Sequence, residues 1–179
     1  MKQFLLLSLF LLSIMVACEK AKVAKPVADA PDLSPTPHPA TLPDTGVVRS
    51  KAQLVYAPVY SNLRSMEDAG DYLVSANLSI RNTSIEKAIK IHFVDYYNYK
   101  GKLIRNYLKE PLEINPLGSI NYFVKLSDRE GGVGAKFLIE WSCTEPVTMP
   151  VIETVMMESS GNRGFAFKSR AVVLRDVRE

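Results

Sequence analysis

The chain has 179 residues, with 22 Lys and Arg against 19 Asp and Glu, two His and two Cys. A net charge of +3 with acidic and basic residues interspersed leaves no dense cationic stripe, so nucleic-acid binding has little to rest on. Two cysteines, of which one lies in the N-terminal apolar region, exclude a disulfide framework in the rest of the chain.

Lys2 precedes an apolar run from Phe4 to Ala17 broken only by Ser8 and Ser13, the pattern of a charged n-region followed by an h-region. The run is shorter than the roughly 20 residues a transmembrane helix needs, so it reads as a secretion signal. Met15-Val16-Ala17-Cys18 resembles the bacterial lipobox, which implies cleavage before Cys18 and acylation of its thiol. Two or three acyl chains would hold the mature protein stably on a membrane without a transmembrane helix. The expected organisation is a signal peptide over 1–17, a lipidated Cys18 and Pro-rich linker over 18–50, and a folded domain over 51–179. The expected location is a bacterial membrane, on its periplasmic or exterior side; Glu19 is a poor match to the aspartate that retains enterobacterial lipoproteins in the inner membrane.

Between Glu19 and Ser50 stand six of the eleven prolines, at positions 26, 31, 35, 37, 39 and 43, with few large apolar residues. Such a segment builds no core and is expected to be a disordered, partly polyproline-like tether reaching on the order of 90 Å at most. His38 lies within it and is expected to be solvated.

From Gln53 the pattern changes to alternation. Tyr72, Val74, Ala76, Leu78 and Ile80 share one face of a predicted strand, and Ser75, Asn77, Ser79 and Arg81 the other. The same period sets Ile89, Ile91 and Phe93 against Lys90 and His92, and Ile120, Tyr122, Val124 and Leu126 against Asn121 and Lys125. Further runs occur over residues 54–60, 102–108, 136–143, 151–157 and 165–174. Asn98-Tyr99-Lys100-Gly101, Asn115-Pro116-Leu117-Gly118 and Ser160-Gly161-Asn162 supply turn chemistry between runs. No stretch of helical length keeps a 3.6-residue period. The reading is all-β: an antiparallel immunoglobulin-like β-sandwich of seven or eight strands. The paired inter-sheet cysteines of a true immunoglobulin domain are absent, and Trp141, on one face with Phe137, Ile139 and Cys143, is expected in the core.

The segments LVYAPVYS, LSIRNTS, VDYYNYKGKLIRNYL, PLGS, GGVGAKFLIEW, PVIETVMM and GFAFKSR, in this order, resemble an uncharacterised bacterial family, domain of unknown function three-one-two-four, over nearly all of Lys51 to Val173. The resemblance implies an exported β-sandwich and brings no catalytic residues with it.

Catalytic chemistry is thin. With His38 in the tether, His92 alone remains in the domain, and no Gly-x-Ser-x-Gly elbow accompanies it. The carboxylates form no Asp-x-Asp-x-Asp-Gly loop, so no metal or other cofactor is implied. Gly131-Gly132-Val133-Gly134 precedes a strand, lacks the Gly-Lys-Ser/Thr of a phosphate loop, and reads as a turn. Asp95 falls on the inward parity of the strand over 89–97 and would need a partner, with Arg105 or Arg170 available.

Immunoglobulin-like connectivity brings the hairpin over 98–101 and the loop over 128–134 to the same end of the sandwich. Tyr96, Tyr97 and Tyr99 would meet Asp128, Arg129 and Glu130 there, a composition favoured at recognition surfaces. The expected function is non-catalytic binding of an envelope or protein partner. The alternative is an accessory subunit or small-molecule sensor with a ligand site among these loops.

Overall fold

The computed structural model describes residues 37–38, 49–64, 70–158 and 164–177. The signal peptide, Cys18, most of the linker and the Ser160–Asn162 turn lie outside them. Twelve strands follow in chain order: β1 (Lys51–Val59), β2 (Asn62–Arg64), β3 (Asp71–Leu73), β4 (Ser75–Arg81), β5 (Ile89–Tyr97), β6 (Leu103–Asn106), β7 (Leu112–Ile114), β8 (Ser119–Val124), β9 (Ala135–Cys143), β10 (Val151–Glu158), β11 (Phe165–Arg170) and β12 (Val172–Asp176).

The larger sheet runs β12-β1-β9-β5-β6, with β7 also on β5; the second runs β11-β10-β4-β8; β2 and β3 form a short ribbon. The predicted antiparallel sandwich is present, with more strands than seven or eight because the runs at 72–81 and 165–174 each divide and the short β2 and β7 lie outside the expected runs. The stretch expected at 165–174 crosses from β10 in one sheet to β1 in the other, breaking at Ala171, whose N–H donates to Ile152 O at 3.0 Å. The chain after β5 pairs with that strand twice, through β6 and then β7. The central pairs β4 with β8 and β5 with β9 match the B–E and C–F pairs of an immunoglobulin sandwich. The edges differ: β1 flanks β9 where the last immunoglobulin strand would lie, and β10 flanks β4 in place of the first.

Alternation explains which faces meet. Val74, Ala76, Leu78 and Ile80 are buried, as are Phe137, Ile139 and Trp141 opposite them, so Trp141 is core as its parity predicts. Each fully buried Leu or Ile contributes about 2 kcal/mol through burial, and Leu78→Ala at the centre would cost about 3 kcal/mol once the cavity is counted. Tyr72, predicted on the inward face, lies in β3 rather than in β4 and is 52% exposed. Cys143 is a buried free thiol whose pKa burial raises. Pro58 lies past Tyr56, where β12 stops pairing with β1, so its missing N–H interrupts no ladder on that side.

β5 departs from simple alternation. Its pairing with β9 shifts register between Ile91 and Phe93, a bulge that moves every later residue to the other face. Ile89 and Ile91 point into the core, and after the bulge so do Val94 and Tyr96. Phe93 and Asp95 therefore lie on the outer face of the larger sheet, which corrects both the predicted parity of Phe93 and the inward parity of Asp95.

Candidate functional site

The β5–β6 hairpin and the loop before β9 do share one end of the sandwich. Asn98 builds the hairpin: its Oδ1 accepts from the N–H groups of Lys100 and Lys102 at 3.0 and 2.9 Å, and Gly101 supplies the left-handed φ of 80° that the turn requires. Tyr99 N–H then donates to Gly131 O at 2.9 Å, and Lys136 Nζ donates to Asn98 O at 2.6 Å. Ser61 ties in a third segment, donating from its N–H to Gly132 O at 3.2 Å while its Oγ accepts from Gly132 N–H at 2.7 Å. The glycine run is thus a structural turn. Gly131 has an ordinary φ of −63°, but a Cβ there would come within 2.0 Å of the Tyr96 hydroxyl. Only a missing side chain permits that approach.

The six residues expected at this surface divide. Tyr96 is fully buried against Phe137, with ring centroids 5.0 Å apart, and burial beside Asp128 raises its phenol pKa far above the usual range. It is a core residue, because the bulge turned it inward. Asp128 is consumed in holding the loop: it pairs with Arg105 at 3.3 Å and accepts from Glu130 N–H at 3.2 Å. Arg105 in turn donates to the Tyr107 hydroxyl, which donates to Phe123 O. Tyr97 is half-buried. What remains outward is Tyr99, 55% exposed with Lys100 Nζ 5.5 Å from its ring centroid, together with Arg129, Glu130 and Val133.

A second polar grouping occupies the outer face of the larger sheet. Asp95 is 1% exposed, and its carboxylate is held by Asn106, whose Nδ2 donates at 2.7 Å, and by His38, whose Nδ1 lies 3.0 Å from both oxygens. Neither expected partner reaches it: Arg105 pairs with Asp128, and Arg170 lies on β11 in the other sheet. The His38 ring stacks on Phe93 at 4.8 Å with an interplanar angle of 3°. His38 is therefore docked on the domain, contrary to the solvated tether residue expected. Glu140, directly across from Phe93, is 0% exposed, and neither of its oxygens has a hydrogen-bond partner among the described residues. Burial pushes its pKa up to about 7, opposed by the charges of Arg175, Arg49 and His38. On the same face His92 Nε2 lies 2.8 Å from Ser142 Oγ, and burial, with Arg49 and Lys90, lowers its pKa to about 4.

Sequence reasoning missed Glu140 and the role of His38. The available signal was the apolar content of the outward parity: Leu54 and Leu138 share it, which a solvated face would not need. Among the described residues no group of three or more His, Cys, Asp or Glu is placed to hold a metal ion, and no helix is long and apolar enough to cross a membrane.

A family model described as a protein of unknown function, DUF3124, matches residues 52–174. The chain belongs to the DUF3124 family. The match runs from β1 to β12 and so includes both the loop end and the Phe93–Asp95–Glu140 face of this DUF3124 domain, while His38 precedes it. No curated protein matches the chain. The crystal structure of Thermotoga maritima 1070 is similar over 69% of this chain and 95% of its own, at 15% identity and a TM-score of 0.42.

Proposed function

We propose that this DUF3124 protein is an exported, lipid-anchored module that binds an envelope or protein partner without catalysis. The observation that carries the binding surface is the Tyr99 N–H to Gly131 O bond, which locks the exposed hairpin tip against the exposed Arg129–Glu130 loop. A recognition surface gains from such rigidity because little conformational entropy is lost on binding. Tyr and Arg are also the side chains most often found carrying interface energy. The anchoring rests on the sequence alone: Lys2, the apolar run over 4–17 and the lipobox-like Met15-Val16-Ala17-Cys18.

Two experiments test this reading. Cys18→Ser should release the protein from washed membranes or leave an uncleaved precursor; mature protein of wild-type size persisting in the membranes would sink the anchoring. Tyr99→Ala combined with Arg129→Ala should abolish co-purification of a stoichiometric partner from solubilised envelopes while leaving the thermal midpoint nearly unchanged. A stable double variant that still captures the partner would move the surface elsewhere. A small-molecule reading has one observation in its favour, at a different place from the loop-end site expected for it: a cleft of about 300 Å³ lined by Val55, Trp141, Ile152, Ala171 and Val173. It lies near the β11–β12 crossing and away from the loop end, so a retained ligand would be sensitive to Ala171→Trp and indifferent to the loop variants.

A further inference from the structure

The outer face of the larger sheet buries two carboxyl groups side by side, one more than an isolated structural carboxylate would explain. Asp95 and Glu140 lie on adjacent strands, Glu140 opposite Phe93 and Asp95 two residues further along, so both rise from the same face beside one aromatic ring. Diagonal neighbours of this kind are about 7 Å apart at Cβ, a gap that one flat cation fills. Both are almost completely inaccessible, at 1% and 0% exposed, although neither faces the apolar core between the sheets. A carboxylate buried without a partner is costly, so the group either keeps its proton or is paired with a cation.

His38 shows the geometry such a group takes. Its ring lies flat on Phe93, and the 3.0 Å contacts from Nδ1 to both Asp95 oxygens require the proton on Nδ1, donated to a carboxylate already fixed by Asn106. The imidazole satisfies Asp95 and leaves both Glu140 oxygens without a hydrogen bond among the described residues.

We infer that Phe93, Asp95, Asn106 and Glu140 form a receptor site for a planar organic cation with N–H donors, imidazolium or guanidinium in type, and that His38 of the Pro-rich segment is its resident occupant. Three features define the chemistry: a ring face that selects flat groups, a carboxylate that accepts an in-plane N–H, and a second carboxylate with accepting capacity to spare. A guanidinium, with donors on more than one edge, suits the pair of carboxylates better than a single imidazole does. The site is separate from the loop end and stands or falls independently of the partner surface proposed there.

The test is rescue in the full-length, detergent-solubilised chain carrying His38→Ala, with imidazolium and methylguanidinium as probes and matched sodium chloride as the control. Both probes should raise the thermal midpoint of His38→Ala saturably and leave the wild type unmoved. Adding Asp95→Asn should weaken imidazolium binding by about tenfold or more, the loss expected for a charge-assisted hydrogen bond. Should that variant fail to fold, Glu140→Gln in the same background keeps Asp95 and should weaken methylguanidinium more than imidazolium. A peptide copying residues 34–42 should compete with imidazolium for His38→Ala, marking the chain itself as the natural source of the cation. The site is refuted if neither probe binds His38→Ala, or if binding survives both carboxylate substitutions. His38 is refuted as occupant if the wild type binds the probes equally well or if the peptide does not compete.

Discussion

Replacing Glu140 by Gln removes a buried charge and keeps the shape of the side chain. In the wild type, burial raises the carboxyl from its ordinary 4.5 to about 7, so the folded state retains a proton that the unfolded chain has released. A carboxyl shifted upward contributes its full stability below the unfolded pKa and loses it as the pH rises through the folded one. Moving from 4.5 to about 7 corresponds to about 3 kcal/mol at alkaline pH. Glu140→Gln should therefore leave stability nearly unchanged at about pH 4 and raise it by up to about 3 kcal/mol at about pH 8. His92 slopes the other way. Its pKa is depressed to about 4, so it costs stability as the pH falls below its ordinary 6.5. The two slopes oppose each other in the wild type, which should show a flat stability profile across the mildly acidic range. In Glu140→Gln the His92 slope is left alone, and stability should climb from about pH 4 to about pH 6.5. Urea denaturation followed by the fluorescence of Trp141 across this range is the assay. A variant less stable than the wild type at alkaline pH would show that the carboxylate is ionised and paired, and would refute the reasoning.

Two further substitutions probe the same frame. Asp95→Ala should lower the unfolding free energy by about 2 kcal/mol, because Asn106 and His38 each lose a charge-assisted hydrogen bond; an unchanged denaturation midpoint would show that the carboxylate is not engaged in solution. Gly131→Ala should cost about 3 kcal/mol, since the new methyl meets the Tyr96 hydroxyl at 2.0 Å and the Ala135 Cβ at 3.0 Å. Tyr96→Phe in the same background should recover part of that loss by removing the clashing oxygen, as thermal melts of the single and double variants would show.

What could be read in advance follows from how local each signal is. The alternation in β4 and β9 and the Asn98–Gly101 turn are encoded by contiguous residues, and they fold as their pattern dictates. That the two loops share an end also follows from the central strand pairs, which do not depend on where β1 and β10 attach. The β5 bulge is different. Nothing in Ile91-His92-Phe93-Val94 marks an extra residue, since either parity buries one apolar set; the choice is made by the register of β9 across the sheet. That one step turned Tyr96 into core and placed Asp95 on the outer face. The docking of His38 was hidden for a related reason, because its partners Phe93 and Asp95 lie more than fifty residues away and come together only through the bulge. A Pro-rich composition rules out a core but does not rule out one specific contact.

The central claim is that the end of the sandwich carrying Tyr99 and Arg129 receives a protein partner in the envelope. A photo-crosslinking amino acid at position 129 of the full-length protein, activated in intact cells, reads this directly. The same group at position 117, an exposed residue in the turn at the opposite end, is the control. Assignment of the partner surface to the loop end requires one discrete adduct from position 129, lost when Tyr99→Ala is added, and none from position 117. Adducts from 117 and none from 129, or equal labelling at both ends, would contradict it.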